Sequence, residues 1–257
     1  MSAWPRTPDE LEAAQVELAR RAGRVDPWRP PGGPYSMGAA FVAFSTARAV
    51  ASSGRRTAEA GSERAWAAAV LFAGGRRTAS AVVAGRAGWG YAVGYLALRE
   101  GSLLEEAVRA LPFPPDVLLV NATGRDHPRR AGLALHLGAV LDVPTVGVTD
   151  RPLRAEDVAP GDTRASAAPL ELDGEVVGYR LRTRRGARPV CAHAAWRTDA
   201  ETAREVVMGS VHRARTPEPL RVARFVARSR RARDEGRLPP GWTQDLLRNP
   251  RFRDASR

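Results

Sequence analysis

Short apolar runs, set off by charged or proline- and glycine-rich stretches, divide this chain into elements. Thr7-Pro8-Asp9-Glu10 is a capping box with proline at the first helical position, which predicts a helix over 8–22. Residues 25–34, rich in proline and glycine, read as loop. The apolar segment 37–44 reads as a buried strand, and the small, polar and charged residues 45–63 as a variable hairpin insertion. Strands over 65–73 and 78–86 complete an antiparallel meander. A helix follows over 103–111, begun after Gly101-Ser102, and then the all-apolar strand 116–120 of the parallel, doubly covered kind. Residues 127–141 read as a helix opened by Pro128 and apolar nearly all round, hence buried. Residues 145–148 form the next parallel strand, 175–184 and 190–193 a hairpin, and Thr198-Asp199-Ala200-Glu201 caps a later helix. No internal repeat is evident.

Composition narrows the classes. The 257 residues suffice for one α/β domain with appendages. No apolar run approaches the ~18 residues of a membrane span, and the first twenty residues lack a signal-peptide core, so no membrane and a cytoplasmic location are expected. The single cysteine, Cys191, fits a reducing compartment, and one Cys with four His argues against an all-Cys/His zinc site. Net charge is +12, and all 40 basic residues are arginine. Arginine reads phosphate bidentately and stacks on bases, which points to DNA or RNA as partner. An arginine-for-lysine bias of composition alone is the competing reading. Residues 225–257 form a basic extension in which Arg228, Arg230, Arg231 and Arg233 recur at helical spacing.

Three antiparallel strands, a helix and then parallel strands give the fold class: α/β, a ribonuclease H-like mixed sheet flanked by helices. The segments Asn121-Ala122-Thr123-Gly124-Arg125-Asp126-His127-Pro128-Arg129-Arg130 and Asp142-Val143-Pro144-Thr145-Val146-Gly147-Val148 resemble endonuclease V. Weaker agreement at Gln15–Ala19, Gly94–Glu100 and Pro217-Glu218-Pro219 extends the resemblance over roughly 8–224.

The resemblance implies cleavage of DNA or RNA near inosine with Mg2+ held by acidic side chains. Carried over residue by residue, the catalytic positions are Glu100, Asn121 and Asp150. The strand-one aspartate falls at Phe41, or at Ala40 if the register slips, and the late histidine or acid at Trp196. Only Glu100 keeps the family's residue: Asn121 is neutral, and Asp150 stands where the family has lysine. Three readings follow: nucleic-acid binding with weak or no cleavage, an active enzyme, or a repurposed pocket with non-hydrolytic chemistry. The active enzyme would hold metal on Glu100 and Asp150 with Asp126 or Asp199. For binding, the resemblance marks Tyr91 as a wedge beside a displaced base, without the family's flanking prolines. Gly124 marks a close-approach turn with φ > 0 open to it. His127, Arg129 and Arg130 would meet a phosphate at a helix N-terminus.

Overall fold

Thr7 starts the first helix as its capping sequence requires. Its hydroxyl accepts from the Glu10 N–H at 3.2 Å, and α1 runs Pro8–Ala22. A computed structural model describes residues 4–45 and 63–238. Nearly all of the expected insertion, and the extension beyond residue 238, fall outside the described residues. Apolar strands then build one sheet. β1 (Met37–Phe44), β2 (Arg64–Ala73) and β3 (Arg76–Arg86) form the antiparallel meander. β4 (Val117–Val120) pairs parallel with β1, and β5 (Thr145–Thr149) parallel with β4. The order β3-β2-β1-β4-β5 is ribonuclease H-like, and β8 (Val190–Ala194), β7 (Glu175–Leu181) and β6 (Ala167–Leu172) extend it to eight strands.

Strand alternation divides the core into two faces. Ala40 and Val42 of β1 face a cluster shared with α1, α2 (Leu96–Arg109) and α3 (Leu133–Leu141). Ala39, Phe41 and Ala43 face the other cluster, covered by α4 (Ala200–Gly209) and α5 (Glu218–Asp234). Among the described residues, no helix is long and apolar enough to cross a membrane.

Four expectations change. α2 begins at Leu96, so Gly101 lies inside it rather than before it. A Cβ at Gly101 would stand 2.2 Å from the Trp4 ring, which is stacked on His136 at 4.4 Å and donates from its indole to Glu105 at 2.7 Å. The glycine makes room for a ring that cannot retreat. Gly101→Ala would gain about 1 kcal/mol in helix propensity but add a clash worth about 1–3 kcal/mol. We expect net destabilisation, read as a lower urea midpoint. Trp4→Leu in the same chain should turn the alanine from unfavourable to favourable.

α3 begins at Leu133, not at residue 127. Arg130 has φ 56°, a left-handed conformation that no helix interior accepts, so the residues before Gly132 form a turn. β6 was not expected, although Asp173 (φ 51°) and Gly174 (φ 76°) close the β6–β7 hairpin with an Asp-Gly pair. Finally, α5 passes unbroken through position 224 and buries Val226 and Ala227 against the sheet. Its basic second half is docked: Arg231 donates to the Phe44 carbonyl at 2.8 Å, and Trp66 donates to Asp234 at 2.8 Å.

Candidate functional site

The carboxyl ends of β1, β4 and β5 lie side by side because these three strands are parallel. Ala40 pairs with Val120 and Val120 with Gly147, so Phe41 and Asn121 are neighbours, and Asp150 follows the end of β5. α5 crosses this edge and fills it with arginine. The Arg224 guanidinium lies 5.1 Å over the Phe41 ring and donates to Asn121 Oδ1 at 3.2 Å. Arg228 lies 5.8 Å over the same ring. Asp150 is ion-paired to Arg215, and Arg221 to Glu218. A cleft of about 20 Å³ is lined here by Asn121, Thr149, Asp150, Arg221 and Arg224 together with Val148, Val190 and Leu220.

Magnesium requires several hard oxygen donors, and the residues here do not fit it. Phe41 offers a ring, and Asn121's oxygen already accepts from a guanidinium. Among the described residues, no three His, Cys, Asp or Glu side chains are grouped to hold a metal.

The acids considered for a rebuilt centre are used elsewhere. Glu100 lies on α2, and burial pushes its carboxyl up to about 7, opposed only by the Arg99 charge. Asp126 is fully buried and accepts the backbone N–H groups of Leu153, Arg154 and Ala155 at 2.7–2.8 Å. Asp199 caps α4 through the Thr202 N–H at 2.8 Å and pairs with Arg29 at 2.5 Å. Trp196 stands at the other end of β5: its backbone bonds to Thr145, and its indole donates to Asp142 at 3.4 Å. The side chain that meets Phe41 and Asn121 is therefore Arg224, not Trp196.

The loop between β3 and α2 carries Tyr91, 72% exposed, and Val93, 61% exposed. Both ends of this loop are fixed without prolines. Arg99 donates to the Trp89 carbonyl at 3.0 Å. The Gly94 carbonyl receives His127 Nε2 at 3.1 Å, Gln15 Nε2 at 3.4 Å and Arg129 Nη2 at 3.5 Å. His127 is buried, and that burial lowers its pKa to about 4. Its Nε2–H therefore donates to Gly94 while Nδ1 accepts the Arg129 N–H at 3.2 Å. His127 positions the Tyr91 loop from below.

Arg129 and Arg130 are also engaged within the protein. Arg129 donates to Gln15 Oε1 at 2.7 Å, pairs with Glu12 at 3.4 Å and lies 5.0 Å over the Tyr95 ring. Arg130 donates to the Leu172 carbonyl at 2.6 Å and faces Asp173 and Glu175 at 3.4 and 3.5 Å. Neither stands in the first turn of α3, whose Ala134 N–H is taken by the Thr123 carbonyl at 3.1 Å. Gly124 does make a close approach, but to the protein itself: a Cβ there would lie 2.0 Å from the Ala194 carbonyl oxygen. Its φ is not among the positive ones, so close packing, rather than left-handed freedom, requires this glycine.

Arg224 is the residue that the sequence reading missed. The signal was present, since Arg221, Arg224 and Arg228 recur at i, i+3 and i+7 on one stripe of α5.

The Endonuclease V family profile matches residues 44–225. The endonuclease V of Streptomyces avermitilis is 35% identical over 226 residues, 88% of this chain and 93% of that protein. Its crystal structure superimposes with a TM-score of 0.76 at 34% identity, covering 91% of this chain and 96% of that one. The Methanopyrus kandleri endonuclease V is 44% identical over 146 residues, 57% of this chain; the match spans 63% of that relative's length. A Ciona intestinalis endonuclease V, solved with a 24-mer DNA containing an inosine followed by a ribo-adenosine, shares the fold at 19% identity. It superimposes with a TM-score of 0.66, over 86% of this chain and 96% of that one.

Proposed function

We propose, from the premise that the chain belongs to the endonuclease V family, that it grips DNA or RNA without efficient cleavage. One observation carries the reading: the Arg224 guanidinium lies against Phe41 and Asn121, at the strand ends to which the resemblance assigns metal-binding acids. Phosphodiester hydrolysis by metal needs a centre that activates water and steadies the leaving oxygen. A guanidinium can steady an oxyanion but cannot generate hydroxide. Binding is retained on this reading, because phosphate contact needs positive charge rather than a metal.

The Tyr91 loop supports base contact as well. An aromatic ring held at the tip of a doubly anchored loop can stack on a base without ordering the loop first. A displaced base costs less at a mismatch than in intact duplex.

Labelled duplexes and single strands with and without inosine, incubated with Mg2+ or Mn2+, test both halves. The expected result is a gel shift without nicking, tighter for inosine-bearing strands. Tyr91→Ala should remove most of that preference, since stacking on one base is worth ~1–3 kcal/mol. Multiple-turnover nicking beside inosine would overturn the binding-only reading. Equal affinity for matched and inosine-bearing strands, with Tyr91→Ala neutral, would remove the base-contact part.

A further inference from the structure

Arg215 is paired with Asp150 and Arg221 with Glu218. Arg224 and Arg228 have no carboxylate partner among the described residues, yet both guanidinium groups lean on the Phe41 ring. Like charges at this spacing repel, more strongly where water is scarce. Burial lowers the Arg224 pKa and the Arg228 charge lowers it further; the Asp150 carboxylate opposes this, and the Arg215 charge adds to the lowering. Arg224 Nε is also a buried donor with no acceptor, where buried polar groups generally have one. Asn121 accepts from only one nitrogen of the fork, so the guanidinium is under-used.

A bound anion would answer all three features at once, by separating the two cations, accepting from Nε and engaging the fork. The adjoining cleft, lined by Asn121, Asp150, Arg221 and Arg224 but not by Phe41 or Arg228, is about 20 Å³ and admits one water-sized group and no base. The anion would therefore lie outside it, against the two guanidinium groups.

We propose that Arg224 and Arg228, over Phe41 and beside Asn121, form a metal-independent phosphate site, in which the tethered Arg224 guanidinium supplies the positive charge. The inference rests on the nucleic-acid reading only for the source of the phosphate, which would be a backbone or terminal phosphate of the strand. The site itself would bind inorganic phosphate. It turns a region expected to attract cations into one that attracts anions.

The test is calorimetric titration of inorganic phosphate into EDTA-treated protein at fixed ionic strength, for the wild type, Arg224→Gln and Arg228→Gln. Arg228 is exposed, so its variant should fold even if Arg224→Gln does not. Each substitution should weaken phosphate binding by about tenfold, the worth of one charge-assisted hydrogen bond. Chloride at the same ionic strength should not substitute for phosphate. Equal phosphate affinity in the three proteins, no phosphate binding by the wild type, or manganese competing with phosphate would each overturn the proposal. A gel shift of the wild type with DNA and RNA separates the two claims. Phosphate binding lost on substitution without any nucleic-acid shift would sink only the nucleic-acid reading. A nucleic-acid shift with phosphate affinity indifferent to both arginines would sink only this one.

Discussion

Replacing Asp126 with alanine should lower stability by about 3–5 kcal/mol, and with asparagine by about half as much. The reason is how that carboxylate is used. Oδ1 accepts from the Arg154 and Ala155 N–H groups, and Oδ2 from that of Leu153, with His193 Nδ1 3.6 Å away. Hydrogen bonds to a charged acceptor contribute about 1.5–3 kcal/mol each, and orphaned buried donors cost about 1–3 kcal/mol. Alanine orphans all three. Asparagine keeps one oxygen for Arg154 and Ala155 but turns an N–H toward the Leu153 donor. Urea unfolding at neutral pH measures the loss, and amide hydrogen exchange at 153–155 locates it. Unchanged stability with those amides still protected would mean that the loop is held by something else. The loop follows Asp150 directly, so both variants should also loosen the Asp150–Arg215 pair at the phosphate site.

Glu100→Gln should act in the opposite direction and only at high pH. The folded carboxyl titrates at about 7 against 4.5 in the unfolded chain, because burial disfavours its charge. Its protonated form is tolerated, so its contribution to stability is fully present below about pH 4.5. It is lost progressively as the pH rises to about 7, and above that the deficit is constant. At 1.36 kcal/mol per unit, the deficit approaches about 3 kcal/mol, a ceiling because part of the residue still reaches water. Glutamine removes the charge and keeps the shape. The variant should match the wild type near pH 4.5 and exceed it by up to that amount near pH 8, read from urea midpoints at both values. Equal midpoints at pH 8 would refute the raised titration. Were Glu100 a working metal ligand, the same change would also abolish metal-dependent cleavage.

Local chemistry made most elements legible. Thr7 and Pro8 fixed the start of α1 because capping is decided within four residues. β1 was read to the residue, because an apolar run between a proline loop and a polar stretch has one reading. The misreadings came from residues whose reason lies far away in the chain. Gly101 reads as a helix breaker until Trp4 is seen against it. His127–Arg130 reads as a helix start until Arg130 is found left-handed, with its guanidinium at the Leu172 carbonyl. β6 is different, since Asp173-Gly174 was a local hairpin signal passed over. In the site, the resemblance pointed to Phe41, Asn121 and Asp150; the first two follow the paired residues Ala40 and Val120, and the third follows the end of β5. It could not supply Arg224, which reaches Asn121 across 103 positions of sequence. Nor could it reveal that Arg129 and Arg130, basic and near the motif, spend their donors on Gln15 and Leu172.

The reach of α5 also sets an order of events during synthesis. Ala39, Ala43, Ala68 and Val70 wait for Val222, Val226 and Ala227 to cover them. A ribosome adding about 5–20 residues per second needs roughly 5–20 s to travel from Asn121 to Arg224. During that interval the nascent sheet shows a bare apolar face beside an Asn121 with no guanidinium on it. A chain stalled there should be a chaperone client and prone to self-association. The phosphate site comes into being only when the same helix closes that face.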